Sequence, residues 1–529
     1  MTTTAVTEPS TPRPTPPAPP ASHGVVAAGP PREEIVVHNP ATGEEIGRVP
    51  VMDAAEVRAV VERARKAQKA WGALTVEQRA TRLTPVKGLM LERLDDLAAA
   101  ITRENGKTLQ ESHTMELVVA LELLGNYLPR AHKVLAPQKL SIRVAKHRAS
   151  YLHYVPRGVI GVISPWNFPL SIPFGETLFA LLAGNAVVVK PSEVTPLIAL
   201  KMRDLFVDAG LDPDLVAVVT GRGATGAALI EGGVQHICFT GSVATGRRVG
   251  EACGRNLIGC TLELGGKAPA IVCADASVER AARALTWGAF ANAGQVCASV
   301  ERVYVDERIL PAFKEKVVAL TRTLRQGNGV GDVDVGACTF PPQVDKIRAL
   351  LLDAQEKGAV FETGGIPEAG ARFVAPTVLT NVNHTMRIMK EESFGPIMPV
   401  MGVKDVDEAV ALANDSDLGL LAYVFTTDGE QGRQIAERVE AGTVMVNDVL
   451  AAFQFAETPW QGVKSSGIGR THSDDGLRDM CECRHVNYDR FSLGERELWW
   501  YPYSPGFKTM FQKLLRLLYG DGLSKRLGR

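Results

Sequence analysis

No apolar run in this 529-residue chain approaches the roughly 18 residues that a bilayer-spanning helix needs, so a helical membrane span is not expected. Net charge is almost lacking. The 58 Lys and Arg residues against 59 Asp and Glu leave −1, so nothing global draws the protein to nucleic acid or to an anionic surface, and any basic patch must be local. Cysteine is sparse: eight residues at irregular spacing do not make a disulfide framework, and a reducing cytoplasm, where a thiol stays free, is the expected compartment. The N-terminus lacks a basic start followed by an apolar stretch, and Arg13 is its one basic residue before Arg32; neither a signal nor a transit peptide is expected. Residues 1–33 are short of large apolar side chains and rich in Pro, Thr, Ala and Ser. Such a segment cannot bury enough surface to offset its ordering entropy and is expected to be disordered.

What remains is ordinary soluble-protein composition, 45% apolar and 22% charged, in a chain long enough for two or three domains. From Ile35 on, residues 53–71, 76–105 and 114–136 carry apolar side chains every three or four positions, as in Val57, Val60 and Val61, which predicts helices. The pattern then changes to short continuous apolar runs: Val159–Ile163, Ala186–Val189, Val216–Val219 and His236–Phe239, with helical stretches at 196–209 and 224–231 between them. A second series follows, with strands at 270–272 and 303–305 and helices at 277–291 and 309–325. Alternating strands and helices predict parallel sheets covered on both faces, hence two α/β domains in tandem.

Several segments carry chemistry. Ser164-Pro165-Trp166-Asn167-Phe168-Pro169 follows a strand, and Asn167 could offer a side-chain N–H to an oxyanion, although such a loop is more often a structural turn. Lys190-Pro191-Ser192-Glu193 ends the next strand, where open α/β sheets bind ligands; a solvated loop pair reads as well. Gly221-Arg222-Gly223-Ala224-Thr225-Gly226 matches the dinucleotide fingerprint, but the following strand ends in Phe239-Thr240-Gly241-Ser242 without the acid that the fingerprint requires. Thr240-Gly241-Ser242 opens a helix near 244–253 and is the better pyrophosphate site. Glu263 lies between leucines and before two glycines, where burial would raise its pKa into the range of a general base; an edge or cap position is the plainer reading. Of the cysteines, Cys297 differs by following the turn Gly294-Gln295, which could present a thiol and its own N–H, while Cys238, Cys253, Cys260, Cys273 and Cys338 read as core residues. Cys481 and Cys483 alternate along an expected strand, and no metal site is expected there.

In this order the segments, together with Glu392-Ser393-Phe394-Gly395-Pro396, resemble the aldehyde dehydrogenase superfamily over roughly residues 35–490. Within it the chain is most similar to the bacterial branch that includes diapolycopene-dialdehyde and succinate-semialdehyde dehydrogenases. The resemblance implies the aldehyde dehydrogenase fold: two α/β domains with parallel sheets plus a subunit-bridging β arm. An NAD-binding domain would take 34–139 and 158–262, a catalytic domain 263–447 and the arm 140–157 and 448–491, as a homodimer or homotetramer. It also implies roles. Cys297 would attack the aldehyde, Asn167 and the Cys297 N–H would hold the oxyanion, and Glu263 would activate the hydrolytic water. Lys190 and Glu193 would face the adenosine ribose, and Trp166 and Ser242 the pyrophosphate. Glu392 with Phe394 would stand on the nicotinamide-ribose side, Gly221 would pack beside the adenosine, and Ser192, Gly241 and Leu264 would also bind the cofactor. A carboxylate at Glu193 would favour NAD over NADP. The chain departs from the family at Gln461, which stands where a glycine is usual, near the substrate tunnel. An apolar or long-chain aldehyde is the expected substrate, with a small semialdehyde as the alternative.

The tail 492–529 lies beyond the resemblance. A helix is predicted over 505–519, with Phe507, Met510, Phe511, Leu514, Leu515 and Leu518 on one stripe. Six basic residues against one acidic residue over 507–529, after Leu498-Trp499-Trp500-Tyr501-Pro502-Tyr503, suit peripheral contact with the inner face of a membrane through 498–519. Packing on the protein itself is the competing expectation.

Overall fold

The computed structural model describes residues 32–520 apart from 492, 493, 496 and 498. The expected disordered segment, but for Arg32 and Glu33, and residues 521–529 of the tail lie outside the described residues. Helix Ala54–Gly72 starts at an Asp53–Glu56 capping box and turns Val57, Val60, Val61, Ala64 and Trp71 inward. The periodicity over 76–105 belongs to two helices, Val76–Glu92 and Leu94–Asn105. Arg93 leaves helical geometry (φ −102°, ψ 21°) while its N–H still closes on Leu89. One residue does not take the apolar positions out of phase, so the pattern alone could not show the break. The helix expected over 114–136 begins earlier, as a π turn Ser112–Leu117 running into helix Val118–Val134; π turns recur at functional positions.

These helices cover a six-stranded sheet in the order Gly467–Ile468, Gly259–Glu263, His236–Thr240, Val159–Ile163, Ala186–Lys190, Val216–Val218. The last five are parallel, and Gly467–Ile468 runs antiparallel to Gly259–Glu263. Val159–Ile163 has the next strand, Ala186–Lys190, on one side and the later His236–Thr240 on the other. This is the switch point where a doubly wound sheet leaves a crevice beyond its carboxyl ends. Leu264–Lys267 then crosses to a second, seven-stranded sheet. Its order is Val360–Phe361, Thr377–Thr380, Ile397–Val403, Val300–Asp306, Ala268–Val272, Leu421–Phe425, Thr443–Val446, and only the first is antiparallel.

A third sheet stands apart. Arg148–Pro156 pairs antiparallel with Cys481–Asp489 and with Gln138–Leu140. The span 448–491 is therefore divided rather than one arm: Gly467–Ile468 edges the first sheet, and Cys481–Asp489 alone joins the third. Cys481 and Cys483 point to the same face of this strand; Cys481, its first residue, is buried, and Cys483, further along, is exposed. Among the described residues His147, Asp489 and Glu497 gather ligand atoms within 4.8 Å, but the Arg148 guanidinium sits among them, 2.7 Å from Asp489 and 3.5 Å from Glu497. The tail forms helix Phe507–Tyr519, and none of its residues is buried. No helix among the described residues is long and apolar enough to cross a membrane.

Candidate active site

Helix Val278–Phe290 ends in a tight turn, Ala291–Gly294, in which Asn292 (φ 51°), Ala293 (φ 52°) and Gly294 (φ 70°) are left-handed. Left-handed Asn and Ala are held there at a cost. The Asn292 N–H donates 2.6 Å to Glu111, whose other oxygen accepts the Thr108 N–H at 2.8 Å. Gly294 is required by space as well as by φ, since a Cβ there would stand 2.1 Å from the Gly395 carbonyl oxygen. The turn delivers Cys297 just ahead of strand Val300–Asp306. Burial, with the Glu263 and Glu392 carboxylates nearby, pushes its thiol up to about 12, against the two backbone N–H groups of Cys297 and Ala298.

Asn167 comes from the crevice loop after Val159–Ile163 and is buried. Its Nδ2 donates 3.0 Å to the Gln295 carbonyl, which leaves one N–H free. Its own carbonyl accepts from Lys107 Nζ at 2.9 Å and Asn292 Nδ2 at 3.0 Å. Lys107 is fully buried and paired with Glu116 at 2.7 Å, and Glu116 accepts the Leu170 and Ser171 N–H groups at 3.2 and 2.7 Å. Lys107, Glu111 and Glu116, from one short segment, thus hold both the Asn167 loop and the Cys297 turn.

Glu263 ends strand Gly259–Glu263 and is buried, with neither carboxylate oxygen hydrogen-bonded. Burial, then the nearby Glu176, holds its carboxyl well above the usual range. The backbone continues through Gly266, where a Cβ would stand 2.1 Å from the Cys297 carbonyl oxygen. Ser466 pins this crossover: its carbonyl accepts the Leu264 N–H at 2.9 Å and its hydroxyl donates 2.7 Å to the Gly265 carbonyl.

Three cavities meet at Cys297. The largest, about 740 Å³, is the crevice itself. It is lined by Trp166, Asn167, Lys190, Ser192, Glu193, Gly241, Ser242, Leu264, Glu392 and Phe394, so ten of the expected site residues share it with Cys297. Gly221 does not line it; its α-hydrogen faces Thr225, and Gly223 and Gly226 of the same loop line the cleft instead. The donor set suits a dinucleotide. Ser242 caps helix Val243–Asn256, whose first N–H groups give an anion site, and Arg248 lines the same cleft. Lys190 and Glu193 stand 3.5 Å apart, where ribose hydroxyls would find both a donor and an acceptor. Glu392 accepts the Gly266 N–H at 3.0 Å, and burial, then Glu301, lifts its carboxyl to about 7. The Phe394 ring meets Trp166 edge-on, 5.3 Å between centroids. Glu301 positions this loop by accepting the Ser393 and Phe394 N–H groups at 2.8 and 2.9 Å while paired with Lys267 at 2.7 Å.

The second cavity is apolar. Met115, Val119, Phe168, Ile172, Trp287, Val296, Ala298, Leu450, Phe453 and Trp460 line it with Cys297, and Gln454 is the one amide. Gln461 is not among these residues; its neighbour Trp460 is. The third, about 30 Å³, lies between Cys297, Glu263, Glu176 and His472. Sequence reasoning missed Lys107, Glu111, Glu116, Glu301 and Ser466, which touch the site through backbone groups, Glu176, which sits inside an apolar run, and His472, which stands among polar residues without a motif.

A model of the Aldehyde dehydrogenase family matches residues 26–486. The chain is 39% identical over 455 residues to a Mycolicibacterium smegmatis protein named succinate-semialdehyde dehydrogenase (NADP(+)), covering 85% of this chain and 87% of that one. It is 37% identical over 497 residues to the 4,4'-diapolycopene aldehyde oxidase of Methylomonas sp, covering 94% and 93%. Among solved structures, the NAD-dependent aldehyde dehydrogenase of Sinorhizobium meliloti superposes with a TM-score of 0.83 at 32% identity, over 89% of this chain and 93% of that one.

Proposed function

The chain belongs to the aldehyde dehydrogenase family, an oxidoreductase that uses NAD or NADP, and on that premise we propose that Cys297 is its nucleophile and that its substrate is an apolar aldehyde. The observation that carries this reading is that Cys297 alone lines all three cavities. The crevice would hold the dinucleotide through Ser242, Lys190, Glu193, Glu392 and the Trp166–Phe394 pair, and the strand–helix unit around it would be the cofactor domain. When bound, the nicotinamide supplies an acceptor for the hydride.

Cys297 first loses its thiol proton to Glu263, which shares the small chamber. The sulfur attacks the aldehyde carbon, and the resulting alkoxide is held by the free Asn167 N–H and the Cys297 N–H. Loss of hydride from that carbon leaves a thioester on Cys297. After the proton from the thiol has gone to solvent, Glu263 takes one from water; the water oxygen bonds to the thioester carbon, the C–S bond breaks, Glu263 returns its proton to the Cys297 thiolate and the carboxylic acid leaves. Use of water, rather than another acceptor, rests on the buried carboxylate at Glu263.

The apolar channel supports the substrate class. Among the described residues that line it there is no Lys or Arg to meet the distal carboxylate of succinate semialdehyde, and the Methylomonas relative is named for diapolycopene aldehyde. The exposed strand Cys481–Asp489 supports a homo-oligomer bridged by the third sheet. We place the enzyme in the cytoplasm, with its tail against the inner face of the membrane. Trp499, Trp500 and Tyr501 are 48, 52 and 80% exposed, and Lys508, Lys513 and Arg516 share the tail helix with exposed Met510, Leu515 and Leu517. NADH or NADPH formation from a panel of short, dicarboxylic and long apolar aldehydes tests the function. Cys297→Ala abolishes product formation, and unchanged turnover would rule out the mechanism.

A further inference from the structure

Helix Val243–Asn256 lies on strand Gly259–Glu263 by a face of small residues. A Cβ at Gly246 would collide with the Leu264 side chain, and one at Gly250 would stand 3.3 Å from Leu262 Cδ1. Positions 246, 250 and 253 share one side of the helix; Cys260 and Leu262 share one face of the strand, with Leu264 next beyond its end. The series that sets Gly246 against Leu264 and Gly250 against Leu262 therefore sets Cys253 against Cys260. A tight reversal joins the two cysteines. Leu257 is left-handed (φ 55°), and the Ile258 N–H donates 3.1 Å to the Cys253 carbonyl. Both cysteines are free, and their thiols share a hydrogen bond. Their access differs. Cys253 is 1% exposed, whereas Cys260, expected in the core, is half-buried beside exposed Gly259.

We propose that Cys253 and Cys260 form a thiol–disulfide site, entered at Cys260 by a low-molecular-weight disulfide of the glutathione type and closed by Cys253 into an intramolecular bridge. The Cys260 thiolate attacks one sulfur of the glutathione disulfide. That S–S bond breaks, one glutathione leaves as thiolate, and Cys260 carries the other as a mixed disulfide. The Cys253 thiol then gives its proton to solvent, its sulfur bonds to Cys260, and the second glutathione leaves as thiolate. Each cysteine loses one electron and one proton, and the glutathione disulfide gains both pairs to become two thiols.

The contact prepares both steps. The Cys253 S–H aimed at the Cys260 sulfur stabilises a thiolate there and lowers it to about 7, while the same bond and burial raise Cys253. A thiol that ionises near ambient pH is the best placed to attack a disulfide. Burial pushes Cys273, Cys297, Cys338 and Cys481 up to about 12 and Cys238 well up, so Cys260 ionises before any of these. Cys253 has no need to meet a reagent, because its target sulfur is already its hydrogen-bond partner. The bridge fastens the last turn of the helix that Ser242 caps to the strand that ends in Glu263.

Trypsin cuts after Arg248, Arg255 and Lys267, which puts the two cysteines in separate peptides, 249–255 and 256–267. Full-length enzyme equilibrated with oxidised glutathione near neutral pH, then acid-quenched, alkylated and digested, should give these peptides joined, two hydrogens lighter than their sum. Dithiothreitol before alkylation should return both as free thiols. In Cys253→Ala, peptide 256–267 should instead keep one glutathione, and in Cys260→Ser, peptide 249–255 should stay unmodified. Circular dichroism identifies a variant that fails to fold; the parent and the other variant then decide. The proposal would be overturned by a parent without the joined peptide, by a bridge from Cys260 to a different cysteine, by a free Cys260 in Cys253→Ala, or by glutathione on Cys253 in Cys260→Ser.

Discussion

Lys107 Nζ lies 2.9 Å from the Asn167 carbonyl oxygen although 60 residues separate the two in sequence. The ammonium is fully buried, and burial alone would push it toward neutrality; the Glu116 carboxylate opposes that and keeps the charge in place. A charge-assisted bond between fully buried groups fixes the loop that presents Asn167, so a residue outside the reacting atoms sets the geometry of the oxyanion donor.

Removing one partner of that pair should cost more than removing both. Lys107→Met strands the buried Glu116 carboxylate and should lower stability by about 3–5 kcal/mol, read from urea or guanidinium midpoints. Lys107→Met with Glu116→Leu should regain part of the stability but not the activity, because the Asn167 loop and the Leu170–Ser171 amides lose their anchors. Full activity in the double variant would refute the positioning role.

Stability should also carry the mark of Glu104. Its carboxylate is buried and accepts the Leu197 and Ile198 N–H groups at 2.6 and 2.8 Å, yet burial outweighs them and lifts the group to about 8. A carboxyl raised in the folded state binds more protons there than in the unfolded chain. Its contribution is complete below about 4.5 and is lost as pH rises to about 8. Denaturation midpoints between pH 5 and 8.5 should therefore fall less in Glu104→Gln than in the parent; equal slopes would count against it.

Substrate choice should be reversible at one position in the apolar channel. Phe453→Arg adds a cation where none stands and should lower the ratio of kcat/KM for a long-chain aldehyde over succinate semialdehyde by about tenfold or more. A ratio that does not change would mean that the channel does not carry the substrate.

Membrane contact, finally, should depend on the tail. With liposomes containing anionic lipid, the intact enzyme should float with the vesicles, and deletion of 498–529 should abolish this while leaving soluble aldehyde oxidation in place. An unchanged bound fraction would place the helix on the protein or on a neighbouring subunit.

The sequence announced the strands of both sheets because buried parallel strands are continuous apolar runs, and it announced the crevice because its loops are distinctive strings following those runs. It hid the Arg93 break, which leaves the apolar phase intact. In the Gly221 loop it is Gly223 and Gly226 that line the crevice, while Thr225 fills the place a side chain at Gly221 would take. Lys107, Glu111, Glu116 and Glu301 were illegible for a different reason. Each acts on a backbone group brought near by the fold, and a main-chain carbonyl or N–H has no signature in sequence. Glu176 was hidden by its neighbours, since the helix Ser171–Ala183 is buried on every side.

The crossover Leu264–Lys267 joins the two sheets in four residues and lies against the Cys297 backbone at Gly266, where not even a methyl group would fit. Base and nucleophile are thus soldered to one strut rather than carried on two bodies that must meet. Any breathing of the crevice has to pivot elsewhere, and the spacing of the chemistry is kept by main chain, which point mutation can strain but cannot lengthen.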